Sequence, residues 1–182
     1  IKQNGGESVP FCLVLSGSNS AFPHGETSNR KIGKMDVVLM DVGAVYGGYC
    51  ADLTRTVFVG EATKSQRKIY EVVSKAQEAA IKTVKPGIEA EEVDSAARKI
   101  IENAGYGKYF THRAGHGLGL EAHEEPYIAS GNKAVLKPNM SFTIEPGIYL
   151  TGQFGVRIED DIAVSTAQGK LLSKLSRELM II

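Results

Sequence analysis

The sequence predicts an α+β fold in a single domain. Strand-like runs come first, two amphipathic helical patterns follow with no strand between them, and strand composition returns at the end. The 182 residues amount to about one domain at about 150 residues each. With 42% apolar and 23% charged residues, the chain can bury one sizeable core and is not of the disordered, collagen or disulfide-scaffold type.

Each element has its own signal. Phe11 to Ser16, Val37 to Gly43 and Tyr46 to Val59 are rich in Val, Leu, Phe, Thr and Tyr between glycine-containing turns and read as strands, with Gly47-Gly48 marking a bend. Thr63 and Gln66 form a capping box, after which Ile69, Val72, Val73, Ala76, Ala79 and Ala80 recur at helical spacing until a stop before Pro86-Gly87. Val93, Ala96, Ala97, Ile100, Ile101 and Ala104 repeat the pattern, and Gly105 supplies a left-handed stop. From Gly115 the alternating glycines predict irregular chain. Ser141 to Leu150 and Gly155 to Ser165 return to strand composition, the first interrupted by Glu145-Pro146-Gly147.

Charge and targeting signals narrow the classes. Twenty-one basic residues balance twenty-one acidic ones, so no basic footprint points to nucleic acid or an anionic membrane. The longest apolar stretches, such as Val37 to Met40, fall far short of the ~18 residues of a membrane span. Ile1 reads as an internal start of a longer polypeptide, with no signal peptide. Cys12 and Cys50, inside apolar runs and without CxxC spacing, read as buried free thiols of a cytoplasmic protein rather than a disulfide.

Several acids stand where charge is costly. Asp41 closes the run Val37 to Met40, where a buried carboxylate needs a partner or a metal. Asp52 follows eleven residues later, so antiparallel pairing can bring the two together; the plain alternative is a surface hairpin. Glu145 is embedded in Ser141 to Tyr149. Glu159 lies in Val156-Arg157-Ile158-Glu159-Asp160-Asp161, where alternation puts Arg157, Glu159 and Asp161 on one face and Asp160 on the other. An Arg157–Glu159 surface pair is the simpler account.

All four histidines fall in two glycine-containing segments, His24 in one and His112, His116 and His123 in the other. The His112/His116 spacing imitates a zinc-protease helix, but the glycines oppose a helix and the Glu beside the first His is missing. A phosphate loop lacks its strand-then-helix context. Asn139-Met140-Ser141 matches a glycosylation sequon, which carries no meaning without secretion. If Asp41, Asp52, His116, Glu145 and Glu159 converge, four carboxylates and one imidazole make a cradle for two divalent cations. Oxygen-dominated ligation favours Mn or Co, with Fe or Zn as alternatives, and such a pair serves metal-assisted hydrolysis.

These residues resemble those of the proline-specific pita-bread metallopeptidases, the Xaa-Pro dipeptidases (prolidases) and Xaa-Pro aminopeptidases, from about Pro10 to Ser173. The five ligands stand in family order at steps of 11, 64, 29 and 14. The resemblance implies a curved antiparallel sheet with flanking helices, residues 1–182 forming a catalytic domain that lacks its N-terminal domain, and a homodimer in the full-length protein. It implies that Asp41, Asp52, His116, Glu145 and Glu159 bind metal, Asp52 and Glu159 as the bridging pair. Glu145 would also shuttle the proton of the attacking water, His24, His112 and His123 would line the site, and Tyr149 and Arg157 would support it. The implied substrate is an Xaa-Pro dipeptide, with an aminopeptidase acting on longer peptides as the alternative. Methionine aminopeptidase, a non-catalytic binding module on the same fold and a metal-free creatinase-type hydrolase fit the segments around Glu159 and the complete ligand set less well.

Overall fold

Strands form first where aliphatic and β-branched residues are densest, and the computed structural model, which describes residues 1–182, runs β1 (Cys12–Ser16), β2 (Val37–Tyr46) and β3 (Tyr49–Phe58) in succession. Helices α1 (Lys64–Thr83) and α2 (Ala90–Asn103) follow. Then come β4 (Gly115–Gly117), β5 (Glu124–Ile128), β6 (Ser141–Ile144), β7 (Gly147–Leu150), β8 (Phe154–Arg157), β9 (Asp160–Val164), β10 (Gly169–Leu171) and β11 (Met180–Ile181). The expected α+β order holds, with the strands divided among a sheet of order β1-β2-β3-β11, a sheet of order β10-β9-β6-β4-β5 and a β7-β8 ribbon. All pairings are antiparallel except that of β11 with β3.

The helices start and stop where the sequence says. Thr63 Oγ1 accepts from the Gln66 amide (3.2 Å), and Gln66 Oε1 accepts from the Thr63 amide (2.7 Å), closing the capping box of α1. Ile69, Val73, Ala76 and Ala80 of α1 are fully buried, as are Val93, Ala97 and Ile101 of α2. The two faces share one apolar core with Phe142, Ile144 and Ile162 of the second sheet and Ile148 and Val156 of the ribbon. Each such aliphatic side chain contributes about 1.5–3 kcal/mol by leaving water. Gly105, at φ 86°, terminates α2 as expected.

Five expectations need correction. Gly47-Gly48 is not a bend within a strand but the two-residue turn between β2 and β3, with φ of 57° and 77°, values a short hairpin demands and glycine supplies. Asp41 therefore sits within β2, not at its end. The expected irregular segment contains strand β4, where glycine serves close packing: a Cβ on Gly115 would lie 1.9 Å from the Thr143 carbonyl oxygen. The strand expected over Gly155 to Ser165 breaks at Ile158-Glu159. Finally, Cys12 is exposed and Cys50 half-exposed rather than buried, because β1 enters the core only at Leu15 and Ser16 and Cys50 lies beside the Gly47-Gly48 turn at the tip of the hairpin; both thiols are free.

Candidate metal centre

Two hairpins supply the four acids. In the first, Asp41 opposes Thr54 and Gly43 opposes Asp52, so Asp41, Asp52 and Thr54 share one face of the β2–β3 pair. The second is interrupted. Ile144 opposes Asp160 on one side of the break and Gly147 opposes Arg157 on the other, and the same register carried across the gap sets Glu145 against Glu159. At these breaks the Glu145 amide donates to the Ala114 carbonyl (2.8 Å) and the Glu159 amide to the Thr54 carbonyl (3.1 Å), replacing the missing ladder bonds. His116 arrives from β4, which lies between β5 and β6.

The five predicted ligands line one cavity of about 440 Å³. Ligand atoms of Asp52, His116 and Glu159 all lie within 4.8 Å of one another. His116 Nε2 is 3.5 Å from Glu145 Oε1 and 3.8 Å from Asp52 Oδ2. Asp41 also lines the cavity, its Oδ2 accepting from Arg157 Nη2 at 2.5 Å. Glu159 Oε2 accepts from the buried Thr54 hydroxyl at 2.6 Å.

The donor set fits divalent cations. His116 donates from Nδ1 to the Gly117 carbonyl (3.1 Å), which turns the Nε2 lone pair into the cavity. Burial pushes its imidazole down to about 4, so it is neutral at pH 7 and its Nε2 donates to neither carboxylate. Burial and then mutual repulsion push the Asp52 and Glu159 carboxyls up, and burial lifts Glu145 against the pull of Arg157. Buried Asp41 Oδ1 and Asp52 Oδ1 have no hydrogen-bond partner. Acceptors facing acceptors in a buried cradle, with Arg157 already committed to Asp41, are the pattern that metal cations satisfy.

The remaining predicted residues surround this cradle. Tyr149, buried and pushed up to about 12 by burial, keeps its proton and donates it to His112 Nε2 (2.8 Å) while accepting from Arg157 Nη1 (3.0 Å). His112 donates from Nδ1 to the Arg113 carbonyl (2.7 Å), and burial lowers it to about 3, so its ring is neutral and fixed. His123 is exposed, with its ring centroid 4.0 Å from that of His116, and exposed His24 lines the mouth.

Sequence reasoning missed four residues. Thr54 stands two positions from Asp52 on the same face, a signal that alternation alone could have given. Asp161 Oδ2 accepts from the Asp52 amide (3.2 Å), and burial pushes its carboxyl up to about 7. Arg113 lines the cavity with its guanidinium 4.4 Å from the Tyr127 ring centroid. Arg55 lies behind the cradle, bonded to the Glu159 carbonyl, and nothing in its local sequence marks it beyond its charge in an apolar strand.

Comparison with known proteins adds independent observations. Residues 1–166 match metallopeptidase family M24. The Xaa-Pro dipeptidase of Pyrococcus furiosus is 48% identical over 181 residues, covering 99% of this chain and 52% of that protein. Among solved structures, the recombinant prolidase from Thermococcus sibiricus superposes with a TM-score of 0.97 at 55% identity, covering 99% of this chain and 49% of that one. The X-Pro aminopeptidase from Thermotoga maritima also gives 0.97, at 42% identity, covering 100% of this chain and 52% of that one. The chain thus spans about half the length of these relatives.

Proposed function

The chain belongs to metallopeptidase family M24, and from that premise we propose that it is the catalytic domain of a dinuclear metal-dependent exopeptidase, an Xaa-Pro dipeptidase that hydrolyses the bond between an N-terminal residue and proline. The observation that carries the reading is the buried cradle of mutually facing acceptors, Asp52, His116, Glu145 and Glu159, with the unpartnered Oδ1 of Asp41 and of Asp52 beside them. In this reading the two ions, Mn or Co, are held by Asp41, Asp52, His116, Glu145 and Glu159. When bound they supply Lewis-acid polarisation of the scissile carbonyl and water acidified toward neutral pH.

The chain's own residues supply the rest. Glu145, which lines the cradle beside His116, accepts a proton from the attacking water and returns it to the departing proline nitrogen. Arg157 holds Asp41 in position, and the Arg157–Tyr149–His112 chain fixes a neutral imidazole on the cavity wall. His24 and His123 offer ring nitrogens to the substrate backbone, and His112, both of whose nitrogens are engaged, lines the wall with its ring. Arg113 is the pocket cation not engaged by an acid and suits the free carboxylate that ends a dipeptide.

The similarity to an X-Pro aminopeptidase over the whole chain favours a second reading, an enzyme acting on longer peptides. The chain has no helix long and apolar enough to cross a membrane. A cytoplasmic location and a homodimer of the full-length protein are part of the proposal. The test is Mn- or Co-dependent hydrolysis of an Xaa-Pro dipeptide beside an Xaa-Pro-Xaa tripeptide, with metal stoichiometry measured on the same full-length sample. Cleavage of the dipeptide alone supports the dipeptidase, and tripeptide cleavage moves the assignment to aminopeptidase. Absence of both metal and cleavage refutes the site.

A further inference from the structure

We propose that Arg55 is a positioning residue of the metal centre, fixing Glu159 through its backbone and making the C-terminal segment around Leu175-Ser176 part of the cradle's support. The inference rests on Glu159 being a ligand. Where β8 breaks before β9, the Glu159 carbonyl has no strand partner, and Arg55 Nη1 donates to it at 2.5 Å. The Glu159 amide donates to the Thr54 carbonyl, and the Thr54 hydroxyl donates to the Glu159 carboxylate. One ligand is thereby held at three points by two adjacent residues of β3.

Arg55 is itself fully committed. Its other contacts are Nη1 to the Thr54 carbonyl (2.8 Å), Nη2 to Asp160 Oδ1 (2.6 Å) and to the Leu175 carbonyl (2.8 Å), and Nε to the Ser176 carbonyl (2.8 Å). All five donors of a guanidinium are thus used, in a side chain that is 9% exposed. A flat fork that reaches two chain segments and a carboxylate cannot be reproduced by the point charge of lysine. Asp160 is in turn tied to Gln77 of α1 (2.9 Å), so the support extends into the helical core. Outer groups that orient a ligand typically change metal affinity about 10–100-fold when removed.

The test uses the full-length protein and Co2+ as probe. Calorimetric affinity, the visible absorption of bound Co2+ and the thermal midpoint of the metal-free form are compared for wild type, Arg55→Lys and Asp160→Asn. Arg55→Lys is expected to bind Co2+ about tenfold or more weakly with an altered absorption band. Asp160→Asn, which weakens the ion pair but leaves the Arg55 bond to Glu159, is expected to lower the thermal midpoint with unchanged affinity and spectrum. If Arg55→Lys does not fold, the double variant Arg55→Met with Asp160→Leu removes both buried charges, and the same loss of affinity is expected. A folded Arg55→Lys or double variant with wild-type affinity and spectrum overturns the proposal. Wild-type protein that binds no Co2+ overturns the ligand assignment itself, a separate result from failure of Arg55 alone.

Discussion

Replacing Thr54 by valine isolates one hydroxyl at the heart of the cradle. The two side chains have nearly the same shape and Thr54 is fully buried, so no cavity opens and the loss is confined to the hydroxyl's bonds. That hydroxyl donates to Glu159 Oε2 at 2.6 Å and accepts from Arg157 Nε at 3.0 Å. Arg157 keeps Asp41, Tyr149 and the Pro23 carbonyl, so its share of the loss is small. Thr54 provides the one hydrogen bond to the Glu159 carboxylate, and a bond to a charged group is worth about 1.5–3 kcal/mol. Lost at the proposed metal ligand Glu159, this is about a ten- to hundredfold fall in metal affinity. Thr54→Ser, which keeps the hydroxyl, should retain affinity within about threefold. Calorimetric titration of the metal-free full-length protein with Mn2+ or Co2+ measures both. A valine variant that binds metal as tightly as wild type would refute the idea that this hydroxyl holds Glu159 in place.

The metal-free protein should lose stability as pH rises. Asp52 and Glu145 are pushed up to about 8 and about 7, chiefly by burial, so the fold retains protons that the unfolded chain releases above about pH 4. His112 and His116, held down to about 3 and about 4, act oppositely below about pH 6.5, so the clean window is pH 6.5 to 8. The thermal midpoint of chelator-treated protein should fall across that window and recover when Mn2+ is added; a flat profile would contradict it. Tyr149→Phe removes the donor to His112 Nε2 and should lower kcat/KM by about tenfold with two metals still bound, which activity and metal analysis on one sample will measure. Gly115→Ala forces a Cβ to within 1.9 Å of the Thr143 carbonyl oxygen and should destabilise by several kcal/mol (about 1–3 or more), read from urea midpoints. Asp52→Asn should abolish activity and metal content together.

The chemistry of this site was more legible in the sequence than its scaffolding. Carboxylates in apolar runs, like Glu145 between Ile144 and Pro146, declare themselves because burial without a partner is costly. Helices α1 and α2 were legible because the α1 capping box, the Gly105 stop and both apolar stripes are local signals, whereas the Glu89/Glu92 capping box of α2 was not anticipated. The tips and breaks of strands were not. Gly47-Gly48 looked like a bend because composition does not say which residues pair across a turn, and Tyr46 and Tyr49 are alike in β-propensity. Strand β5 contains Pro126 and was not anticipated, and β10 and β11 are too short to leave a periodic signal. Arg55 and Asp160 are separated by 105 residues, so only the folded chain reveals their pairing.

The two hairpins have a consequence for how this chain can change length. Asp41 and Asp52 are set by one register and Glu145 and Glu159 by another, and the tight two-residue turn at Gly47-Gly48 makes the step of eleven residues a geometric constant of the cradle. One residue inserted at Gly47-Gly48 would slide β3 against β2 and, if the slip propagated, turn Asp52 to the opposite face. The steps of 64 and 29 residues pass through helices and surface loops and carry no such constraint. Insertions and deletions among descendants of this sequence should therefore be absent from the β2–β3 hairpin and collect outside it, a pattern readable from lengths alone, even where every other residue has drifted.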